Sequence, residues 1–141
     1  MQQTETYKLN LMEGSDTFSP QPINENMEKL EAALEDRPKV ALGSYVGSGI
    51  YGVNSPNTLT FGFEPKLLVV SSGNTLMIAL WDNQYAVCYT GSGYASNYVN
   101  STYGWYDPIT WDGQTVSWYH ADGNTSQLSQ PNTTYRYIAF G

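Results

Sequence analysis

The chain has 141 residues, a formal net charge of −7 and one cysteine, with only six basic side chains against thirteen acidic ones. Six scattered cations cannot neutralise a run of phosphates, so nucleic acid is excluded as a partner and an anionic membrane surface is disfavoured. No stretch approaches the ~20 apolar residues that cross a bilayer, the polar opening MQQTETYKLN lacks a secretory core, and a single cysteine rules out an internal disulfide framework.

These features predict a protein made in a reducing cytoplasm, without membrane insertion and without a cofactor. Twelve tyrosines are the other unusual feature. Tyrosine is a good strand former, and it also joins a large apolar face to a polar tip, which suits a half-wet contact surface. Both readings stand at this level.

Charge divides the sequence. Residues 1–39 hold eight acidic and four basic side chains, whereas residues 67–141 hold only Asp82, Asp107, Asp112, Asp122 and Arg136. The expected organisation is a leader and helix over 1–39, serving oligomerisation or attachment, followed by a β body over 40–141.

The one helical pattern covers residues 23–35. Ile23, Met27, Leu30 and Leu34 are spaced four, three and four, a narrow stripe of coiled-coil form. Pro22 suits the first turn and Pro38 stops the helix. Two heptads are short for an isolated coiled coil. The stripe therefore either packs on the β body or meets identical helices on a shared axis, and the second arrangement is favoured.

From residue 40 onward short apolar runs alternate with turn formers. The predicted strands are Val40–Val46, Thr58–Phe63, Leu67–Ser71, Leu76–Leu80, Tyr85–Thr90, Tyr98–Thr102, Ile109–Trp111, Thr115–His120 and Tyr135–Phe140. Asp112-Gly113 is the expected two-residue turn of a hairpin from Ile109 to Trp118. Trp81-Asp-Asn-Gln84 repeats that turn chemistry. The fold class expected is mainly β, an antiparallel β-sandwich with a short N-terminal α-helix.

Motifs that spell catalysis fail in context. Gly47-Ser-Gly-Ile-Tyr-Gly52 matches a dinucleotide fingerprint, but Val53-Asn-Ser-Pro-Asn-Thr58 opens no helix after it, so it reads as a glycine-rich loop. His120 is the only histidine, with Asp122 two residues on and no serine in a nucleophile elbow. One histidine and one cysteine make a poor metal set. Cys88, inside the apolar run Tyr85–Tyr89, reads as a small core residue. Paired carboxylates for glycoside hydrolysis reduce to Asp107 and Asp122. The chain is not expected to be an enzyme.

Residues 91–108 have the composition of a recognition surface. Tyrosine and tryptophan give rigid contact area, and glycine, serine and asparagine give adaptable hydrogen bonds. That mixture suits a sugar, whose C–H face packs on a ring while its hydroxyls need amide and carboxylate partners. The expected ligand-binding residues are Tyr94, Asn97, Tyr103, Trp105, Tyr106 and Asp107, with His120 and Asp122 nearby. Trp105-Tyr106-Asp107 beside Pro108 is the expected loop tip. The competing reading places Tyr98, Tyr103 and Trp105 on strands facing a core.

Several segments carry a resemblance. Tyr7-Lys-Leu-Asn-Leu-Met-Glu-Gly14 followed by Ile23-Asn-Glu-Asn-Met-Glu-Lys-Leu-Glu-Ala-Ala-Leu34 resembles the start of tail-fibre and minor structural proteins of phages and prophages of gut Firmicutes. Gly62-Phe-Glu-Pro-Lys-Leu-Leu-Val-Val70 and Tyr135-Arg-Tyr-Ile-Ala-Phe-Gly141 are similar to paired strands of phage fibre tips and H-type lectins, which are trimeric β-sandwiches. The resemblance leaves out residues 91–132. The long stalk usual in a fibre is missing between helix and body, which fits a short receptor-binding, baseplate-tip or accessory fibre protein.

What the resemblance implies is a virion protein that binds host-surface glycans, contacts other virion proteins and forms a homo-oligomer, a trimer above all. The alternatives are a purely structural fibre cap, baseplate or capsid decoration protein and, last, a polysaccharide depolymerase.

Overall fold

A computed structural model describes residues 1–73, 75–91 and 102–141, with backbone alone at Thr102 and Tyr103. The chain divides into two compact units, Met1–Pro38 and Lys39–Gly141. Among the described residues no helix is long and apolar enough to cross a membrane.

In the first unit, strands β1 (Gln2–Gln3) and β2 (Asn10–Leu11) pair antiparallel ahead of helix α1 (Pro20–Glu35). The helix begins three residues before the sequence pattern suggests. Ser19 caps it, its hydroxyl accepting from the Gln21 amide at 3.4 Å, and Pro20 fills the first turn, where a missing N–H costs nothing. The leader is clipped along one side of α1. The Asn10 amide donates to Asn26 Oδ1 at 2.6 Å, Asn26 Nδ2 donates to the Asn10 carbonyl at 2.8 Å, and Lys29 Nζ donates to the Lys8 carbonyl at 2.7 Å. These partners lie on a different face from Ile23, Met27, Leu30 and Leu34, and all four stripe residues are exposed.

The second unit is mainly β and antiparallel, as the strand pattern predicts. It holds β3 (Val40–Val46), β4 (Asn57–Thr60), β5 (Leu67–Ser72), β6 (Thr75–Leu80), β7 (Tyr85–Gly91), β8 (Thr102–Asp112), β9 (Thr115–Trp118) and β10 (Thr134–Phe140). They form one eight-stranded sheet in the order β3-β10-β5-β6-β7-β8-β9-β4.

The two layers expected of a sandwich are two halves of this single sheet, which curls like a half-barrel. The turn of the sheet is built into β8. Its first part, Thr102–Pro108, pairs with β7, and its last part, Ile109–Asp112, pairs with β9. Pro108 stands where it changes partner. Of the expected strand Tyr98–Thr102, residues 98–101 lie outside the described residues.

Register corrects one turn. Asp112 pairs with Thr115, so the β8–β9 turn is Gly113-Gln114 and not Asp112-Gly113. Gly113, at φ 55°, takes the first central position, where a side chain would be strained.

Although β3 and β4 lie at opposite edges of the sheet, they are consecutive in sequence. The curl brings them together, and Asn57 Nδ2 lies 3.5 Å from the Tyr45 hydroxyl. Residues 127–131 fill the space at this junction. Tyr45 Oη and Asn57 Nδ2 both donate to the Leu128 carbonyl, at 2.9 and 3.2 Å. Gly47 passes so close to the Gln130 carbonyl that a Cβ would stand 2.0 Å from its oxygen, so only glycine fits there.

The core lies on one face, built from Leu68, Val70, Met77, Ala79, Ala86, Cys88, Val116 and Trp118, which have little or no exposure. Tyr45 stacks on Tyr135 with ring centres 5.1 Å apart. The opposite face is also apolar. Leu42, Ile138, Val69, Ile78, Val87 and Tyr106 stand in register as one row across six strands. Such two-sided apolarity explains why β5 and β6 read as nearly continuous hydrophobic runs, a pattern ordinarily found where both faces of a sheet are covered.

Candidate functional site: a tyrosine cleft and a sealed acid–imidazole pair

Strand alternation decides the fate of Trp105-Tyr106-Asp107. The segment is the middle of β8 and not a loop tip, so successive side chains point to opposite faces. Trp105 and Asp107 turn inward and Tyr106 turns outward, 68% exposed. The expected cluster is therefore split between two environments. Tyr94 and Asn97 lie outside the described residues, and Tyr103 is placed by its backbone alone, opposite Thr90.

On the outer face Tyr106 lines a cleft of about 400 Å3 with Asn83, Gln84, Tyr85 and Val87. Val87 is the cross-strand partner of Tyr106, and Tyr85 is its diagonal neighbour, itself 53% exposed. Diagonal neighbours of this kind stand roughly 7–8 Å apart, within joint reach of one ligand. The turn Trp81–Gln84 supplies the polar wall. Asp82, at φ 68°, reverses the chain, and the Asn83 amide donates to the Leu80 carbonyl at 3.2 Å, which closes the turn that carries the two carboxamide side chains. Beside the turn, Lys66 Nζ lies 4.0 Å from the centre of the Trp81 ring.

Two aromatic faces and two carboxamides are the groups a carbohydrate needs: flat surfaces for its C–H faces, and donors and acceptors for its hydroxyls. Asn83, Gln84 and Tyr85 escaped the sequence reading. The available signal was the phase of β7, where Ala86 and Cys88 face inward and leave the bulky Tyr85, Val87 and Tyr89 for the other side.

The inner face has a different character. Asp107 has no accessible surface. Its Oδ1 lies 2.6 Å from His120 Nδ1, and its Oδ2 accepts from Cys88 Sγ at 3.7 Å. The Trp105 ring meets the His120 ring edge-on, with centres 6.4 Å apart, and its Nε1 donates to the Ser126 carbonyl at 3.1 Å.

Burial pushes the Asp107 carboxyl above its ordinary range, and the His120 hydrogen bond and charge pull it partly back. His120 thus takes Asp107 as its acid partner, where the sequence placed Asp122. Asp122 is exposed in the loop that follows. The pair Asp107 and Asp122 expected of a depolymerase is not formed as two cleft carboxylates, because Asp107 is sealed from solvent. Among the described residues no three histidine, cysteine or carboxylate groups gather as a metal shell.

Comparison with known proteins finds no family model, no curated protein and no solved structure that matches this chain.

The residue that organises the loops around His120 is Gln127, which no sequence signal marked. It is fully buried. Its Oε1 accepts from the amides of Gly52 and His120 at 2.8 and 3.0 Å, and its Nε2 donates to the Ser55 carbonyl at 2.8 Å. Its own carbonyl accepts from Trp118 Nε1 and Asn57 Nδ2. Every polar atom of the side chain is therefore used, as burial demands. One carboxamide ties residues 52–57 to residue 120. A second groove, of about 480 Å3, opens over this junction between Tyr51–Asn54 and Tyr119.

Proposed function

We propose that this chain is a virion attachment protein of a phage or prophage, adhering to host-surface glycans through the Tyr85–Tyr106 cleft. The observation that carries the reading is the cleft itself: two exposed tyrosine rings on adjacent strands, walled by the Asn83 and Gln84 carboxamides. The leader, helix and strand motifs that resemble phage fibre proteins point the same way. A shallow, open cleft implies weak single-site binding, which an attachment protein multiplies by presenting several copies. The exposed stripe Ile23, Met27, Leu30 and Leu34 is the candidate seam that gathers those copies, into a trimer by the resemblance to phage fibre tips.

A purely structural virion role is the second reading, favoured by the apolar row from Leu42 to Tyr106, a surface of the kind that packs against neighbouring subunits.

Binding of the purified protein to a glycan array and to intact Firmicutes cells separates the two. Under the attachment reading the protein binds, and Tyr85→Ala and Tyr106→Ala each abolish binding while leaving the fold intact by circular dichroism. Retention of binding in both variants would overturn the cleft as the site. Absence of binding by the intact, folded protein to every glycan and cell tested leaves the structural role.

A further inference from the structure

The two edges of the sheet are not alike. The β4 edge is four residues long and polar, with the Asn57 side chain turned to the Gln127 and Leu128 carbonyls. The β3 edge is seven residues long and contains no charge and no proline, and no described strand pairs with its open side. Natural sheets blunt such edges with charges, prolines or bulges, because a free row of amides and carbonyls is a template for another strand.

Hydrogen-bond parity shows which groups are free. Lys39 and Gly141 exchange both backbone bonds, at 2.7 and 2.9 Å, and the Gly47 amide donates to the Thr133 carbonyl at 2.9 Å. In an antiparallel ladder the bonded positions alternate. The odd-numbered residues of β3 therefore face β10, and the amides and carbonyls of Val40, Leu42, Ser44 and Val46 point to the open side. The side chains of Val40, Leu42 and Val46 stand on the outer face, 52%, 77% and 63% exposed.

We propose that β3 is the seam of a two-fold dimer, pairing antiparallel with β3 of a second copy about Gly43. The strand is self-complementary in that register. Val40 and Val46 lie equally far from Gly43, so Val40 meets the partner subunit's Val46 and Leu42 meets the partner subunit's Ser44. This single register uses all four free amides and all four free carbonyls of each copy, roughly eight hydrogen bonds in total. A slip of one residue would set bonded positions against free ones.

Gly43 at the centre is already closed on its inner side by the Tyr137 ring, whose hydroxyl occupies the space of a Cβ. Charge does not oppose the approach. Lys39–Gly141 carries five acidic and three basic residues, so most of the net −7 belongs to residues 1–38. Pairing joins the apolar rows of two outer faces into one surface. The tyrosine cleft, on β7 and β8, lies four to five strands away, roughly 19–24 Å along the curled sheet at ordinary strand spacing.

The test uses the full chain, with sedimentation mass and residue-resolved amide exchange by NMR. Exchange at Val40, Leu42, Ser44 and Val46 should be slowed in the wild type at high concentration and should accelerate on dilution, while Ala41, Gly43 and Tyr45 stay protected throughout. Leu42→Lys puts a charge on the seam. Ser44→Pro removes an amide that β10 does not use, and proline is tolerated at such edge positions. Either variant, folded by circular dichroism, should lower the sedimentation mass twofold. A wild type whose four even-numbered amides exchange freely at every concentration, or whose mass neither variant changes, would overturn the seam. In the second case Leu30→Glu lowering the mass would assign association to the helix stripe instead.

Discussion

Asp107 and His120 are 13 residues apart in sequence and share a contact of 2.6 Å, with the aspartate sealed from solvent and the histidine ring partly open to it. The pairing couples the end of the β8 segment that faces the core to the loop held by Gln127. Its consequences are readable as pH dependence.

Because burial raises the Asp107 carboxyl above its ordinary 3.8, the protonated form is the one the fold favours. Its contribution to stability is fully present below about pH 3.8 and is lost as pH rises through the folded value. Asp107→Asn stays neutral at every pH and keeps an acceptor for His120. Relative to the wild type it should therefore gain stability between about pH 4 and neutrality. Urea midpoints of both proteins across that range would show it, and a difference that does not change with pH would refute the assignment. His120→Ala should destabilise by about 3 kcal/mol at neutral pH, by leaving a buried charge without its main partner, and by less in acid.

Gln127→Ala removes a side chain whose partners are scattered over residues 52–57 and 120. The amides of Gly52 and His120 lose their acceptor, and the Ser55 carbonyl loses its donor. The expected loss is about 2–4 kcal/mol of global stability. Amide exchange at Gly52 should rise well beyond what global unfolding explains. Gln127→Glu keeps the acceptor and loses the donor, so it should not restore the wild-type midpoint.

Trp105→Ala and Tyr106→Ala should differ in kind although the residues are adjacent. Trp105 packs against the core and bonds Ser126, so its truncation should cost about 2–4 kcal/mol. Tyr106 is largely exposed, and its truncation should stay within about 0.5 kcal/mol. Any glycan affinity should fall with Tyr106→Ala at constant stability. Loss of affinity in Trp105→Ala should instead track unfolding, as a parallel denaturation curve would reveal.

Cys88 has no exposed surface, and burial together with the Asp107 carboxylate pushes its thiol far above the ordinary range. A thiol reagent should leave the native protein unlabelled. Labelling should appear only with the unfolding transition, and fast labelling of the native state would contradict the packing.

How far the sequence revealed this fold depends on the range of the forces involved. β3, β5, β6, β7 and β10 were visible as apolar runs bounded by glycine, asparagine or proline, because strand formation there is a local pattern of burial. The segment Trp105-Tyr106-Asp107 reads as a loop tip because Pro108 and its aromatic neighbours resemble a turn. In the fold the proline marks the place where β8 changes partner, a tertiary event with no local signature. The same alternation that separated Tyr106 from Trp105 and Asp107 created the tyrosine cleft, whose other half, Tyr85, comes from a strand about twenty residues earlier. Gln127 sits in a polar stretch, Thr125-Ser-Gln-Leu-Ser-Gln130, that reads as an ordinary loop. Its burial is set by the distant backbone groups of residues 52–57, and no window along the chain contains them.

Strand order also has a temporal side. Val46 and its ladder partner Thr134 are separated by 88 residues, and β10 lies between β3 and β5 in the sheet. During synthesis at about 5–20 residues per second, β3 leaves the ribosome roughly 4–18 s before any strand that can pair with it in this sheet. For that interval it is an uncharged, β-prone stretch with both edges bare. Nascent chains on one messenger would then meet through β3, the earliest strand of the eight-stranded sheet, before their own sheets can close. Crowding of translating ribosomes should therefore govern how much of this protein emerges soluble, and slowing initiation should raise the yield more than lengthening the time allowed for folding.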